Sequence, residues 1–252
     1  MADIILKHNA YFMGTGGKLL RYRPIPVNYG LLYNWYVTSD ARKVSSSDNW
    51  RVSLGFASTT DNNDCMTLLL YCDADALRIT NDAALYLKET GTTYWNNDSS
   101  PNNSYKLNVR GNGYRKEDGV FENITVKGQF WANSIFDTET SKSIAQFLSA
   151  NNVFYSPYRY SGTETANIKA GVGIRLVNTS TTLSHGQTGT YTGNNGREYP
   201  TICIGTQEWL ADNLAETKYR NGDTIPEVTD GATWAGLTTG ALCAYNNDWN
   251  NV

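Results

Sequence analysis

Polarity in this chain comes mostly from uncharged residues. Only 18% of its 252 residues are charged, while aromatic residues reach 12%, with 17 Tyr and 7 Trp. An average globular domain carries about 25% charged residues. Asn, Thr, Ser, Gly and Tyr supply the missing polarity. Thr and aromatic side chains fit the pleated, half-buried surface of a strand, whereas Asn, Ser and Gly fit turns. This balance predicts a loop-rich β protein with adhesive polar-aromatic surfaces. The length allows one large domain or two small ones, with a sizeable core.

The same inventory narrows function. The formal net charge is −3 and no basic cluster appears, so no nucleic-acid partner is expected. No run of eighteen apolar residues exists, which predicts no membrane-inserted helix. The apolar stretch within Met1–Ala10 is too short for a signal peptide, so synthesis in a bacterial or similar cytosol is expected. The cysteines are Cys65, Cys72, Cys203 and Cys243. Cytosolic synthesis favours free, buried thiols. There is no Cys-x-x-Cys and the only histidines are His8 and His185, so neither a metal site nor a cofactor is expected.

Residues 1–27 stand apart as an arm. Apolar flanks at Ile4–Phe12 and Leu19–Val27 surround Gly14-Thr-Gly-Gly17, the pattern of a β-hairpin or extended arm. Such an arm is either a leader or a docking element that completes a sheet on a partner. From Tyr29, the alternation of Leu31, Tyr33, Trp35 and Val37 predicts a half-buried strand. Helices are predicted at Asp61–Tyr71 and Asp82–Glu89, and closing strands at Ile144–Leu148, Val153–Tyr160 and Gly171–Val177. The Thr, Ser, Gly and Asn content of residues 179–195 reads as a linker.

The tail runs Gly196-Arg-Glu-Tyr-Pro-Thr-Ile-Cys-Ile-Gly-Thr-Gln-Glu-Trp209, then Thr239-Gly-Ala-Leu-Cys-Ala-Tyr-Asn-Asn-Asp248. It resembles the opening of the Fibrobacter succinogenes major paralogous domain. That family's next landmark is similar to Tyr29-Gly-Leu-Leu-Tyr-Asn-Trp35-Tyr36, which here lies near the chain's start. Trp50 with Val52, and Gly128-Gln-Phe-Trp-Ala-Asn-Ser134, match later landmarks in part. The resemblance implies an α+β, C-type-lectin-like domain over residues 28–252, with two helices and twisted, mostly antiparallel strands. It also implies a circular permutation: residues 28–178 hold the family's C-terminal part and residues 196–252 its N-terminal part. Thr201–Ile204 are then expected to pair with Ile174–Val177, within one chain or by a swap between chains. A complete domain followed by a truncated second copy is the other arrangement. A family cysteine matches Cys243, but its partner position carries Leu176 or Val177, so Cys243 is expected to be free.

No nucleophile triad, phosphate loop or dinucleotide fingerprint is present, and the chain is not expected to be an enzyme. Asp61, Asp64, Asp73, Asp75 and Asp82 fall near predicted helix starts, where they favour the helix dipole without a catalytic role. Trp95-Asn-Asn-Asp98 is similar to the calcium motif of sugar-binding C-type lectins, but carries an inserted Asn. A polar turn after a core tryptophan is the favoured reading. The candidate ligand-binding residues are Tyr155, Tyr158, Arg159 and Tyr160, with Asn133 and Asn152 nearby. Tyrosines present flat apolar faces with hydroxyl tips, and Asn and Arg satisfy hydroxyls and carbonyls.

Two functional classes follow. The first is a bacteriophage virion protein of fibre, decoration or receptor-binding type. It would bind a host-surface glycan or protein, and would dock on other virion subunits through residues 1–27 as a homo-oligomer. The second is a bacterial cell-surface adhesin or carbohydrate-binding module.

Overall fold

Short strands joined by Asn-, Ser- and Gly-rich turns build this protein. The computed structural model describes residues 11–13, 19–21, 28–54, 64–65, 67–68, 83–96, 98, 100–132, 138–148, 154–155 and 165–252. Near the start, β1 (Tyr11–Met13) and β2 (Leu19–Arg21) pair antiparallel as a two-stranded sheet of their own. A five-stranded sheet has the order β12 (Thr188–Thr192), β13 (Glu198–Ile204), β14 (Gln207–Leu210), β11 (Leu176–Asn178), β4 (Trp50–Val52). A second sheet centres on β8 (Ser141–Leu148), which pairs with β7 (Lys127–Trp131), β9 (Phe154–Tyr155) and β10 (Thr165–Asn167). Two more antiparallel pairs join β5 (Asn112–Arg115) to β6 (Phe121–Ile124), and β3 (Leu32–Tyr33) to β15 (Leu242–Cys243).

This architecture corrects the expected two-helix, C-type-lectin-like α+β fold. Among the described residues strand outweighs helix, the helices are short, and the sheets are several and antiparallel. The helices among the described residues are α1 (Trp35–Ser39), α2 (Ala83–Leu87) and α3 (Gly231–Ala235). Five residues close too few hydrogen bonds to stand alone, so packing defines each one. Helix α1 carries β-branched Val37 and Thr38, its Asn34 side chain bonds to Thr239 O and Ala241 N instead of capping the helix, and the chain turns extended at Asp40. Helix α2 stops where Lys88 bridges to Val109. Residues 64, 65, 67 and 68 are also helical, and the rest of 61–71 lies outside the described residues.

The strand expected across Leu31–Val37 is shorter than its alternation suggests. Leu31, Leu32, Tyr33 and Val37 are all fully buried or nearly so. Burial on both faces erases the link between alternation and an exposed side. Thr201–Ile204 and Ile174–Val177 do not pair directly. Strand β14 lies between β13 and β11, with Val177 opposite Trp209. The tight Gly205-Thr206 turn, with φ +66° at Gly205, inserts it there. Thr188–Thr192, inside the segment read as a linker, form edge strand β12.

Tail and body share their cores. One cluster joins Leu87, Trp95, Val109, Phe130 and Val177 to Ile202, Ile204 and Trp209. Another joins Tyr33, Trp131 and Ile174 to Tyr199, Leu210 and Leu242. Main-chain bonds cross the same boundary: Tyr29 N donates to Asn251 O at 2.8 Å, and Leu31 N to Leu214 O at 2.9 Å. Gly30 adopts φ +73°, and a Cβ there would strike Asn213 and the Leu214 carbonyl. The landmark glycine is therefore a contact point with the tail.

Buried charge completes the joint. Arg175 is fully enclosed; its guanidinium donates to Asn213 Oδ1 at 2.8 Å, Leu210 O at 2.9 Å, Asn108 O at 2.8 Å and Leu107 O. Burial lowers its pKa to about 9, which leaves it charged at neutral pH. Arg115 lies over the rings of Trp234 and Phe121 and donates to the carbonyls of Gly119, Val228 and Thr229. Glu216 is buried against the turn between β12 and β13, and accepts from Tyr199 Oη at 2.8 Å and Asn195 N at 2.9 Å. Cys65, Cys203 and Cys243 are free and buried; Cys72 lies outside the described residues. Burial raises the Cys65 and Cys243 thiols to about 12.

Arg175→Leu strands these acceptors, each costing roughly 1–3 kcal/mol when buried and unbonded. Urea unfolding should show a loss of about 3 kcal/mol or more. Arg42→Ala, at a side chain 39% exposed, should leave the unfolding midpoint nearly unchanged, because solvent screens its ion pairs. Glu216 gives a pH test. Burial raises its pKa above the ordinary 4.5, so the folded state holds the proton longer than the unfolded chain. Its contribution to stability is therefore greatest at low pH and falls as pH rises from about 4.5 through the folded pKa. The stability of wild type relative to Glu216→Gln should decline over that window, measured by denaturant titration at successive pH values. A flat difference would mean that Glu216 titrates normally.

Candidate functional site

A cleft of about 280 Å³ opens between α1, the loop 40–49 and β4. Its floor is Trp35, Trp50, Val52, Leu54 and Leu176. Its rim is Thr38, Ser39, Lys43, Ser45, Asp48, Arg51 and Arg220. Both tryptophans are set by packing. Trp35 meets Trp131 edge-on, with centroids 5.4 Å apart, and the Lys142 ammonium lies 5.5 Å from its ring. Trp50 is 9% exposed and leans on Tyr191 at 4.9 Å. Aromatic pairs at such spacings hold each other's rotamers.

The rim is tied to a distant part of the chain. Arg220 donates through Nε to Ser45 O at 2.9 Å, through one terminal nitrogen to Asp48 Oδ1 at 2.7 Å, and through the other to Ser45 Oγ at 3.2 Å. Its main-chain N also donates to the carbonyls of Arg42 and Lys43. The Arg220 guanidinium, with a smaller effect from Lys43, holds the Asp48 carboxyl below the usual range. Asp40 accepts from Arg42 through both main chain and side chain, and Tyr191 Oη accepts from Ser46 N at 2.8 Å. Arg51 pairs with Asp64, whose carboxylate also accepts from Leu54 N at 2.7 Å and Gln207 Nε2 at 3.0 Å. Asp64 is thus a buried brace for the floor, not a free acid.

The indole N–H groups separate these tryptophans from the rest. Trp95 donates to Val109 O, Trp131 to Tyr33 O, Trp209 to Gln207 Oε1, Trp234 to Lys169 O and Trp249 to Glu227 Oε1. Five of the seven therefore have protein acceptors within 3.3 Å. Trp35 and Trp50 donate to none among the described residues. Neither nitrogen is among the buried atoms left without a partner, so both N–H groups are open to solvent at residues that line the cleft.

A second, more open cleft of about 450 Å³ is lined by Tyr114, Lys116, Lys127, Ser141, Ile144 and Asn167 among others. Its polar groups are largely spent on each other. Tyr114 donates to Glu122 at 2.9 Å, and Lys116 pairs with Asp118 and Glu122. It contains no tryptophan. The Trp35–Trp50 cleft is the stronger candidate.

The residues singled out from sequence fall largely outside the described residues. Tyr155 is in β9, opposite Gln146, and its side chain is outside the described residues. Asn133, Asn152, Tyr158, Arg159 and Tyr160 are outside them altogether. Trp95-Asn-Asn-Asp98 is resolved physically. Trp95 is fully buried, and Asp98 pairs with buried Lys88 and accepts from Ser100. No group of three or more His, Cys, Asp or Glu among the described residues is arranged to hold a metal ion. The sequence names Trp35, Trp50 and Val52 only as landmarks and does not single out Thr38, Lys43, Ser45, Asp48 or Arg220. Two tryptophans flanking the polar stretch 38–49 were the available signal; nothing local points to Arg220. No family model, curated protein or solved structure matches this chain.

Proposed function

We propose that this chain is a bacteriophage virion protein of fibre, decoration or receptor-binding type. It binds a host-surface glycan or protein and performs no catalysis. The Trp35–Trp50 cleft is the observation that carries this reading: an apolar aromatic floor, unspent indole donors and a polar rim make a recognition surface. The sequence resemblance at Tyr29–Tyr36 and in the tail supports a binding domain by analogy alone. The face at Tyr155, Tyr158, Arg159 and Tyr160, with Asn133 and Asn152, belongs to the proposal as a second contact region. Residues 1–27 dock on other virion subunits and support a homo-oligomer. The β1–β2 hairpin suits that role because its edges pair with no other described strand.

Binding of labelled protein to a panel of bacterial strains tests the proposal. Loss of an aromatic anchor typically costs about 2 kcal/mol or more, roughly thirtyfold in affinity. Trp35→Ala, or Tyr158→Ala with Tyr160→Ala, should reduce cell binding by that order while the melting temperature holds. Deleting residues 2–26 should leave a folded monomer that no longer assembles. Wild-type protein that binds no strain would leave a purely architectural role. A deletion variant that still assembles would remove the arm from the account.

A further inference from the structure

The cleft holds more information than its aromatic floor. We infer that it takes one acidic sugar residue, a pyranose carrying a carboxylate, with its ring on the Trp35–Trp50 floor and its carboxylate toward Lys43. This rests on the binding reading above and names the ligand class of the same site.

Charge comes first. Arg51 is neutralised by Asp64, which lies behind the floor. Arg220 is bound to Asp48 and to both oxygens of Ser45. Lys43 remains. It is exposed at the rim and makes no ion pair or hydrogen bond through its ammonium among the described residues. Asp48 is the carboxylate nearest in charge terms, and Arg220 holds it at 2.7 Å. Counting Asp64 behind the floor, the three cations Lys43, Arg51 and Arg220 exceed the two carboxylates Asp48 and Asp64 by one positive charge, beside an apolar floor. Such an excess, next to low-dielectric walls, favours a ligand with one negative charge.

Size and donor type narrow the ligand further. About 280 Å³ lies at the low end of ligand pockets, which run from roughly 300 to 1,000 Å³, so one ring fits and a folded peptide segment does not. The floor offers two N–H donors at its aromatic edges and apolar surface from Val52, Leu54 and Leu176. A sugar ring matches that mixture. Its C–H face covers aromatic carbon while its ring hydroxyls accept from indole N–H. Thr38 and Ser39 donate their hydroxyl protons to Trp35 O, and Ser45 donates to Ser47 O, so the Thr38 and Ser39 oxygens are left as acceptors at the rim. An inorganic anion would leave the floor unused, and a neutral sugar would leave Lys43 unused.

The test uses the full-length protein with glucuronate, galacturonate and N-acetylneuraminate as probes. Glucose, galactose and a short glutamate-rich peptide serve as comparisons. Saturation-transfer NMR and tryptophan fluorescence report binding. Acidic sugars should bind more tightly than their neutral counterparts. Lys43→Gln should weaken them about fivefold, the effect of one partly exposed charge, while leaving neutral sugars and the melting temperature unchanged. Trp50→Phe, which keeps a ring but removes the N–H, should weaken every sugar. The inference fails if neutral sugars bind as well as acidic ones, if Lys43→Gln changes nothing, or if the peptide binds best. Cell binding measured in parallel separates the two levels. If wild type binds cells, acidic sugars do not compete and Lys43→Gln is silent, the sugar assignment falls and host recognition stands. If acidic sugars bind the cleft but no cells are bound, host recognition falls and the site stands.

Discussion

A single guanidinium, that of Arg175, ties the middle of the chain to its tail. It sits beside β11 and donates to carbonyls from the 107–108 loop and from the end of β14, and to the Asn213 side chain. A planar fork of donors suits this task because several acceptors can be met at fixed angles. No carboxylate bonds to it directly; carbonyl dipoles and the Asn213 amide carry the compensation that a buried charge requires. Arg115 repeats the device at the other end of the tail, between two aromatic rings. Remove either and the core is left with oriented carbonyls facing nothing.

That joint explains the position of the cleft. Its floor comes from residues near 35 and 50, and its rim is clamped by Arg220. Arg220 can reach Ser45 and Asp48 because β13 and β14 are locked into the same sheet as β4 and β11. The rim loop carries a left-handed residue, Lys43 with φ 61°, bonded back to Asp40 O at 3.0 Å. A non-glycine residue persists there when its surroundings fix it, here Asp40 and Arg220. The cleft is thus held in shape before any ligand arrives, which lowers the ordering cost of binding.

Much of the strand content was legible, and the reasons are local. The closing strand expected at Ile144–Leu148, with its β-branched and aromatic residues, falls inside β8, Ser141–Leu148. The hairpin at β1 and β2 was legible from its glycines. The overall fold was not. Leu31, Leu32 and Tyr33 are buried on every side, so their spacing carries no signal about exposure. Edge strand β12 has a Thr- and Gly-rich sequence that reads as linker, because partnership with β13, not propensity, makes it a strand. The cleft was half legible. Trp35 and Trp50 stand out in any reading, but Arg220 reaches it across 172 residues from Asp48, a relation that only the tertiary structure contains. The tyrosine-rich segment, chosen for its chemistry, lies outside the described residues except for the backbone of Phe154 and Tyr155.

The two-residue strand β3 has consequences for how the chain matures on the ribosome. Its partner, β15, lies more than two hundred residues later, with Leu242 opposite Tyr33. Translation proceeds at about 5–20 residues per second, so β3 waits roughly 10–40 s for its partner to be made. During that interval Leu31, Leu32 and Tyr33, all destined for the core, lack their closing strand. Contacts of such long sequence separation also slow the search itself. The nascent chain therefore leaves β3 without this partner until Leu242 and Cys243 have been made.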